Sequence, residues 1–112
     1  EIAACGIDQG LVVVSAPHTT CGITINEDEA GLRGDIERLA TKLLDPLGQQ
    51  APFDHDRIDD NAQAHLTSIL FGHSVHLPLS GSRLGLGRWQ SVLLVEMDGP
   101  RSRSVSILIL GL

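Results

Sequence analysis

Ser91-Val92-Leu93-Leu94-Val95-Glu96-Met97 and Val105-Ser106-Ile107-Leu108-Ile109-Leu110 flank Asp98-Gly99-Pro100-Arg101, and these two runs decide the fold class. Each is short, apolar and rich in branched side chains, the pattern of a buried strand. Asp-Gly favours the backbone angles of a tight turn, so the pair reads as an antiparallel hairpin. Glu96 interrupts the first run. It either faces solvent or is paired, because an unpaired buried carboxylate is too costly.

Moving toward the N-terminus, Ser80–Arg88 is glycine-rich and carries Arg83 and Arg88. Val75-His76-Leu77-Pro78-Leu79 reads as a strand cut short by Pro78, with His73 and His76 as surface residues. Ala62 to Phe71 reads as a helix, with Asn61 as its N-cap, Gly72 as its stop and His65 on or beside its buried face. Leu32, Ile36, Leu39, Ala40, Leu43, Leu44 and Leu47 recur at helical spacing over four turns, and Pro46 marks the end of that helix. Cys21–Ile25 reads as a strand. Leu11–Ala16 reads as another, buried on both faces. Glu1–Gly6 has the look of a helix tail capped by Gly6, which, with Glu rather than Met at position 1, implies earlier sequence. The order β-β-α-α-β-β-β after that first helix predicts a compact single-domain α+β fold over residues 1–112. Its sheet is mainly antiparallel, with two or three helices packed on it.

A chain of 112 residues is large enough for one core. Phe53, Phe71 and Trp89 are its only aromatics besides histidine, so that core is aliphatic. A net charge of -6 argues against a nucleic-acid partner, which needs a basic face. The apolar runs are strand-sized, which excludes a helical membrane span. Cys5 and Cys21 fit neither a zinc pair nor a disulfide framework and read as reduced thiols of a cytoplasmic protein.

The chemistry concentrates in Asp54-His55-Asp56-Arg57-Ile58-Asp59-Asp60-Asn61-Ala62-Gln63-Ala64-His65, where two imidazoles and four carboxylates crowd into one stretch. Four acids so close repel one another unless an Arg, a metal ion or counter-ions sit among them. His55, His65 and, farther off, His18 are ligands of the type divalent transition metals take. Glu27, Asp59 and Asp60 are candidate ligands or acid–base groups, although helix capping accounts for at least one of Asp59, Asp60 and Asn61. The Gly81–Arg88 segment offers backbone N–H groups and an Arg fork to an anion, without matching a phosphate-loop pattern.

Taken together, Pro17-His18-Thr19-Thr20, Ile25-Asn26-Glu27, Asp60-Asn61-Ala62 with Ala64-His65, Leu70-Phe71-Gly72, Leu86-Gly87-Arg88-Trp89-Gln90 and Glu96-Met97-Asp98-Gly99-Pro100-Arg101 carry a family likeness. The chain resembles the YjbQ-like family, also described as secondary thiamin-phosphate synthase enzymes, over nearly its whole length. The resemblance implies a homotrimer of α+β subunits, with an extra N-terminal strand in the relatives. It implies a pocket lined by His18, Asn26, Glu27, His55, Ala64, His65, Trp89 and Gln90. The implied reaction joins a hydroxymethylpyrimidine pyrophosphate to a thiazole phosphate and releases pyrophosphate. Two positions depart from the family pattern: Thr67 stands where relatives often have Lys, and Arg88 where they usually have Thr.

On this reading His18, Glu27, Asp60 and His65 are catalytic, and His18, His55 and His65 hold a divalent metal, zinc or magnesium. Asn26, Arg83, Arg88, Trp89 and Gln90 bind the phosphorylated substrate, and no organic cofactor is implied. The alternative is a non-catalytic trimeric metal- or metabolite-binding protein, and a third reading makes the histidines and acids interface salt bridges.

Overall fold

Alternating burial along Gln9–Ser15 (β1) sets the frame of the fold. Val12 and Val14 are buried on one face, while Leu11, 38% exposed, and the half-buried Val13 lie on the other. The computed structural model describes residues 2–112; Glu1, the first residue of the helix expected at the N-terminus, lies outside them. Strand β1 is the centre of a four-stranded antiparallel sheet. It pairs with β3 (Ser74–Ser80) in the register Gln9↔Ser80 to Ser15↔Ser74, and with β6 (Ser106–Gly111) in the register Gly10↔Gly111 to Ser15↔Ser106. The two-residue β4 (Arg83–Leu84) extends the sheet beyond β3, giving the order β4-β3-β1-β6. A second sheet consists of β2 (Cys21–Asn26) and β5 (Ser91–Glu96). Val12, Val14, Ala16 and Leu79 of the first sheet and its borders pack with Cys21 and Ile23 of the second to form the core.

Three helices follow the second strand in space or sequence: α1 (Ala30–Lys42), α2 (Asp45–Gln50) and α3 (Ala62–Phe71). Helix α1 starts where the Glu29 carboxylate accepts the N–H groups of Gly31 and Leu32. Helix α3 packs on β2, where Gly22 leaves room for Phe71 and the Ser68 hydroxyl donates to the Cys21 carbonyl at 2.7 Å. It ends at Gly72, whose φ of 82° few side chains tolerate. The α+β class with antiparallel sheets is thus as expected.

Several local expectations are corrected. The hairpin around Asp98-Gly99 does not form: β5 pairs with β2 and β6 with β1, in different sheets. The helix expected to run to Leu47 breaks after Lys42, and Pro46 lies in the first turn of α2, where its missing N–H costs nothing. Pro78 does not cut its strand short. Its carbonyl accepts the Gly85 N–H at 2.7 Å, so its backbone polar groups face the short β4 side and no bond to β1 is lost. The N-terminal segment is a 3₁₀ turn, Ile2–Ala4, followed by Gly6 at φ 72°. Strand β1 is buried on one face rather than on both.

Gly10 is required where β1 and β6 approach. A β-carbon there would run into the carbonyl oxygen of Leu110. Gly10→Ala is expected to destabilise the protein by about 1–3 kcal/mol, the usual range for overpacking, which chemical denaturation would measure.

Candidate functional site

The 3₁₀ turn Asp54–Arg57 folds back onto the start of α3, where the Asp56 carboxylate accepts the Ala62 N–H at 3.2 Å. Asp56 therefore does the capping expected of Asn61, which stands at the N-cap position with no side-chain bond to the helix. The same fold-back brings His55 onto His65, in the second turn of α3, with ring centroids 4.7 Å apart and planes 78° to one another.

Asn61 is free to bridge. Its Oδ1 lies 3.2 Å from His55 Nε2, and its Nδ2 donates to Asp98 Oδ2 at 2.8 Å. Asp98 in turn is fixed from several sides. Arg101 meets the same Oδ2 at 2.9 Å and donates to the Asp98 carbonyl at 2.7 Å, and the Asp98 N–H donates to Glu96 Oε1 at 2.9 Å. The Asn61 hydrogen bond, then the Arg101 charge, hold the Asp98 carboxyl below its ordinary range despite partial burial. Glu96, the residue that interrupts the apolar run, is paired. Arg103 grips it with two hydrogen bonds of 2.6 Å and also donates to the Thr20 hydroxyl and carbonyl, at 2.8 and 3.1 Å. That fork brings the Glu96 carboxyl down to about 2.

This line of side chains borders a cleft of about 690 Å³, walled by Glu37, Ala40, Thr41, Asp60, Asn61, Gln63 and Ala64 on one side and Glu96–Pro100 on the other. Its volume suits a small-molecule ligand. Its ionisable lining residues, Glu37, Asp60, Glu96 and Asp98, are all acidic.

Of the predicted site residues, His55 and His65 come together here, and Asp60 lies in the cleft wall. His18 is used differently: its Nε2 accepts the Ser104 N–H at 2.8 Å, so in a neutral ring Nδ1 carries the proton and no lone pair is left for a metal. Asn26, Glu27, Arg88, Trp89 and Gln90 gather at the opposite end of the β2–β5 sheet. There Asn26 pairs with Ser91, the Arg88 guanidinium lies 5.0 Å from the Trp89 ring centroid, and Gln90 accepts the Gly87 N–H. Arg83 lies on β4, paired with Ser80. Cys21↔Glu96 and Asn26↔Ser91 mark the two ends of that sheet, five residue steps apart, or about 17 Å at the usual rise.

The acids of the 54–60 stretch are largely engaged within it. Asp54 pairs with Arg57, Asp56 caps α3, and Asp59 accepts the Asp60 N–H. Among the described residues, no three His, Cys, Asp or Glu side chains converge to hold a metal ion. His55 and His65 are the two imidazoles that meet, edge-on to one another. No helix among the described residues is long and apolar enough to cross a membrane.

Asn61, Glu96, Asp98, Arg101 and Arg103 are the site residues that reading by residue type missed. Asn61 reads as a cap, Glu96 as a strand residue and Asp98–Arg101 as a turn, although Glu96–Arg101 belongs to the motif set that carries the family likeness.

Comparison with known proteins agrees with that likeness. The model of the family described as UPF0047 protein YjbQ-like matches residues 1–112. A UPF0047 protein of Archaeoglobus fulgidus is 48% identical over 98 residues, covering 88% of this chain and 75% of the relative. One from Methanothermobacter thermautotrophicus is 38% identical over 106 residues, covering 95% and 72%. The crystal structure of a hypothetical protein from Aeropyrum pernix K1 superposes with a TM-score of 0.90 at 44% identity, covering 98% of this chain and 80% of that one. A YbjQ-like protein of unknown function from Sulfolobus solfataricus P2 also gives 0.90, at 37% identity, covering 98% and 78%. With the whole chain matched, the protein belongs to the YjbQ-like UPF0047 family.

Proposed function

We propose that the protein is an enzyme of the thiamin-phosphate synthase type, joining a pyrimidine pyrophosphate to a thiazole phosphate in the cleft beside His55 and His65. The observation that carries this reading is the position of the Asn61 side chain. It leaves the helix it was expected to cap and ties His55 to Asp98, which lies 37 residues beyond Asn61 in sequence. Such a bridge adds nothing to capping and fixes an imidazole one side chain behind the Asn61 and Asp98 lining of a ligand-sized cleft, which is how sites with acid–base or ligating histidines are supported.

The residues expected to bind phosphate, Asn26, Arg88, Trp89 and Gln90, gather at the end of the β2–β5 sheet opposite the Cys21↔Glu96 pair. The two ends of that sheet are about 17 Å apart by strand rise, too far for one small substrate to span. A homotrimer in which one end of the β2–β5 sheet meets the other end in the next copy would join them, and head-to-tail contacts close into rings. The chain is suited to burial in an assembly. It measures 51 × 29 × 21 Å, and Leu39, Leu43, Ile69, Leu70, Ile107 and Leu108 are all at least 42% exposed.

Paired imidazoles favour zinc over magnesium as the ion. When bound, it would offset the charge that develops on a leaving pyrophosphate. The chain's own part is to place His55 through Asn61, to line the cleft with Met97 and Pro100, and to present Asp60 to it.

The test pairs metal content with a synthase assay, for wild type and His55→Ala/His65→Ala. Near-stoichiometric zinc and turnover, both lost in a folded double mutant, are expected. Turnover undiminished in the double mutant would overturn the site. The wholly acidic ionisable lining of the cleft favours a second reading, a cation-binding module whose turnover is incidental. That reading requires metal binding with a kcat/KM far below the enzymatic range of about 10⁴ M⁻¹s⁻¹ and above.

A further inference from the structure

Asp98 carries an inference that the motif reading does not contain. Its Oδ2 receives both Asn61 Nδ2, at 2.8 Å, and Arg101, at 2.9 Å. An ionised carboxylate only accepts hydrogen bonds, so the Asn61 side chain can meet it in one orientation, with its NH₂ group toward Asp98. The amide oxygen is then turned toward His55, where Oδ1 lies 3.2 Å from Nε2. An amide oxygen also only accepts. The His55 nitrogen facing it must therefore carry the proton, and in a neutral ring the other nitrogen, Nδ1, keeps the lone pair.

We propose that Asp98 is a positioning residue that locks His55, through Asn61, as the Nε2-protonated tautomer and leaves Nδ1 as its sole nitrogen for binding a metal or accepting a proton. The lock is anchored outside the site. The Asp98 backbone is held by Glu96 and Arg101, and Glu96 is held by Arg103, so the orientation of one ring depends on the 96–103 loop. Use of Nδ1 in chemistry rests on the enzyme reading above, whereas the tautomer itself does not.

Two-bond ¹H–¹⁵N correlation spectra of the ¹⁵N-labelled protein, recorded above the pH at which imidazoles titrate, read the tautomer directly. The His55 peaks are identified by their loss in His55→Gln. His76, exposed on β3, serves in the same spectrum as an imidazole free to average between tautomers. In wild type the two His55 nitrogens are expected at well-separated limiting positions, Nε2 protonated and Nδ1 bare. In Asp98→Asn, whose new amide can donate as well as accept, the Asn61 side chain can turn, and the His55 nitrogens are expected to move toward the averaged positions of His76. A backbone amide spectrum that stays dispersed confirms folding. If that variant unfolds, Asn61→Ala, which removes the acceptor, takes its place with the same expectation. Averaged or Nδ1-protonated His55 in wild type would overturn the assignment, and a locked His55 in the folded variant would overturn the role of Asp98. Neither readout involves turnover, so a failed synthase assay leaves this result standing.

Discussion

Arg103→Ala is expected to destabilise the protein by about 2–3 kcal/mol, below the roughly 3–5 kcal/mol of a fully buried broken pair because water reaches part of Glu96. For a domain of this size that lowers the thermal midpoint by about 10 °C or more. The Arg103 side chain is 10% exposed and the Glu96 side chain 32%. Removing the guanidinium strands the Glu96 carboxylate next to Thr20 and releases the loop that carries Asp98. Arg103→Lys keeps the charge but not the two-pronged grip, so an intermediate loss is expected.

The pH dependence isolates the same pair. Glu96 has its carboxyl lowered in the folded state from 4.5 to about 2, chiefly by Arg103. A depressed carboxyl stabilises the fold above its unfolded value and loses that contribution as pH falls through the folded one. Wild-type stability should therefore decline between about pH 4.5 and pH 2, by about 2 kcal/mol from this group after allowing for solvent screening. Asp98, Asp45 and Glu29 are also lowered and add to the slope with the same sign. The difference between wild type and Arg103→Ala separates the share of Glu96. Urea titrations across that range would show it, and parallel acid limbs in the two proteins would refute the assigned pairing.

What could be read in the sequence was what depends on neighbours along the chain. The limits of α3 and the turn at Gly72 follow from local chemistry, and they match residue for residue. The hairpin at Asp98-Gly99 is also a local rule, yet it fails because the true partner of β5 is β2, some seventy residues earlier, and Arg103 closes the loop on Glu96 instead. Leucine spacing in α1 showed which residues share a face but not what covers it, and Leu39 and Leu43 remain exposed. The His55–His65 pair was visible as composition. The role of Asn61 was not, because a cap and a bridge look alike until Asp98 is brought alongside. Residue type and the family resemblance group His18 with the other imidazoles. The Ser104 N–H, 86 positions away, is what takes up its lone pair.

His65→Ala is expected to lower kcat/KM by about 10²–10⁴-fold, the usual contribution of a histidine acting as acid, base or ligand, while leaving the fold intact. The half-buried ring lies edge-on to His55, on a helix whose buried contacts come from Ala62, Ala64, Thr67 and Ser68. Alanine is also the better helix former, so stability should change by about 1 kcal/mol or less. The contrast with Arg103→Ala is the point of the experiment. Arg103→Ala acts on stability first and on turnover through the loop. His65→Ala acts on turnover with little effect on stability. Steady-state synthase kinetics and thermal unfolding on the same preparations would place each variant. Unaltered turnover in folded His65→Ala would remove the imidazole pair from the chemistry and leave the acidic cleft as the feature to explain. A loss confined to KM would instead make His65 a binding group, since only interactions stronger in the transition state change kcat.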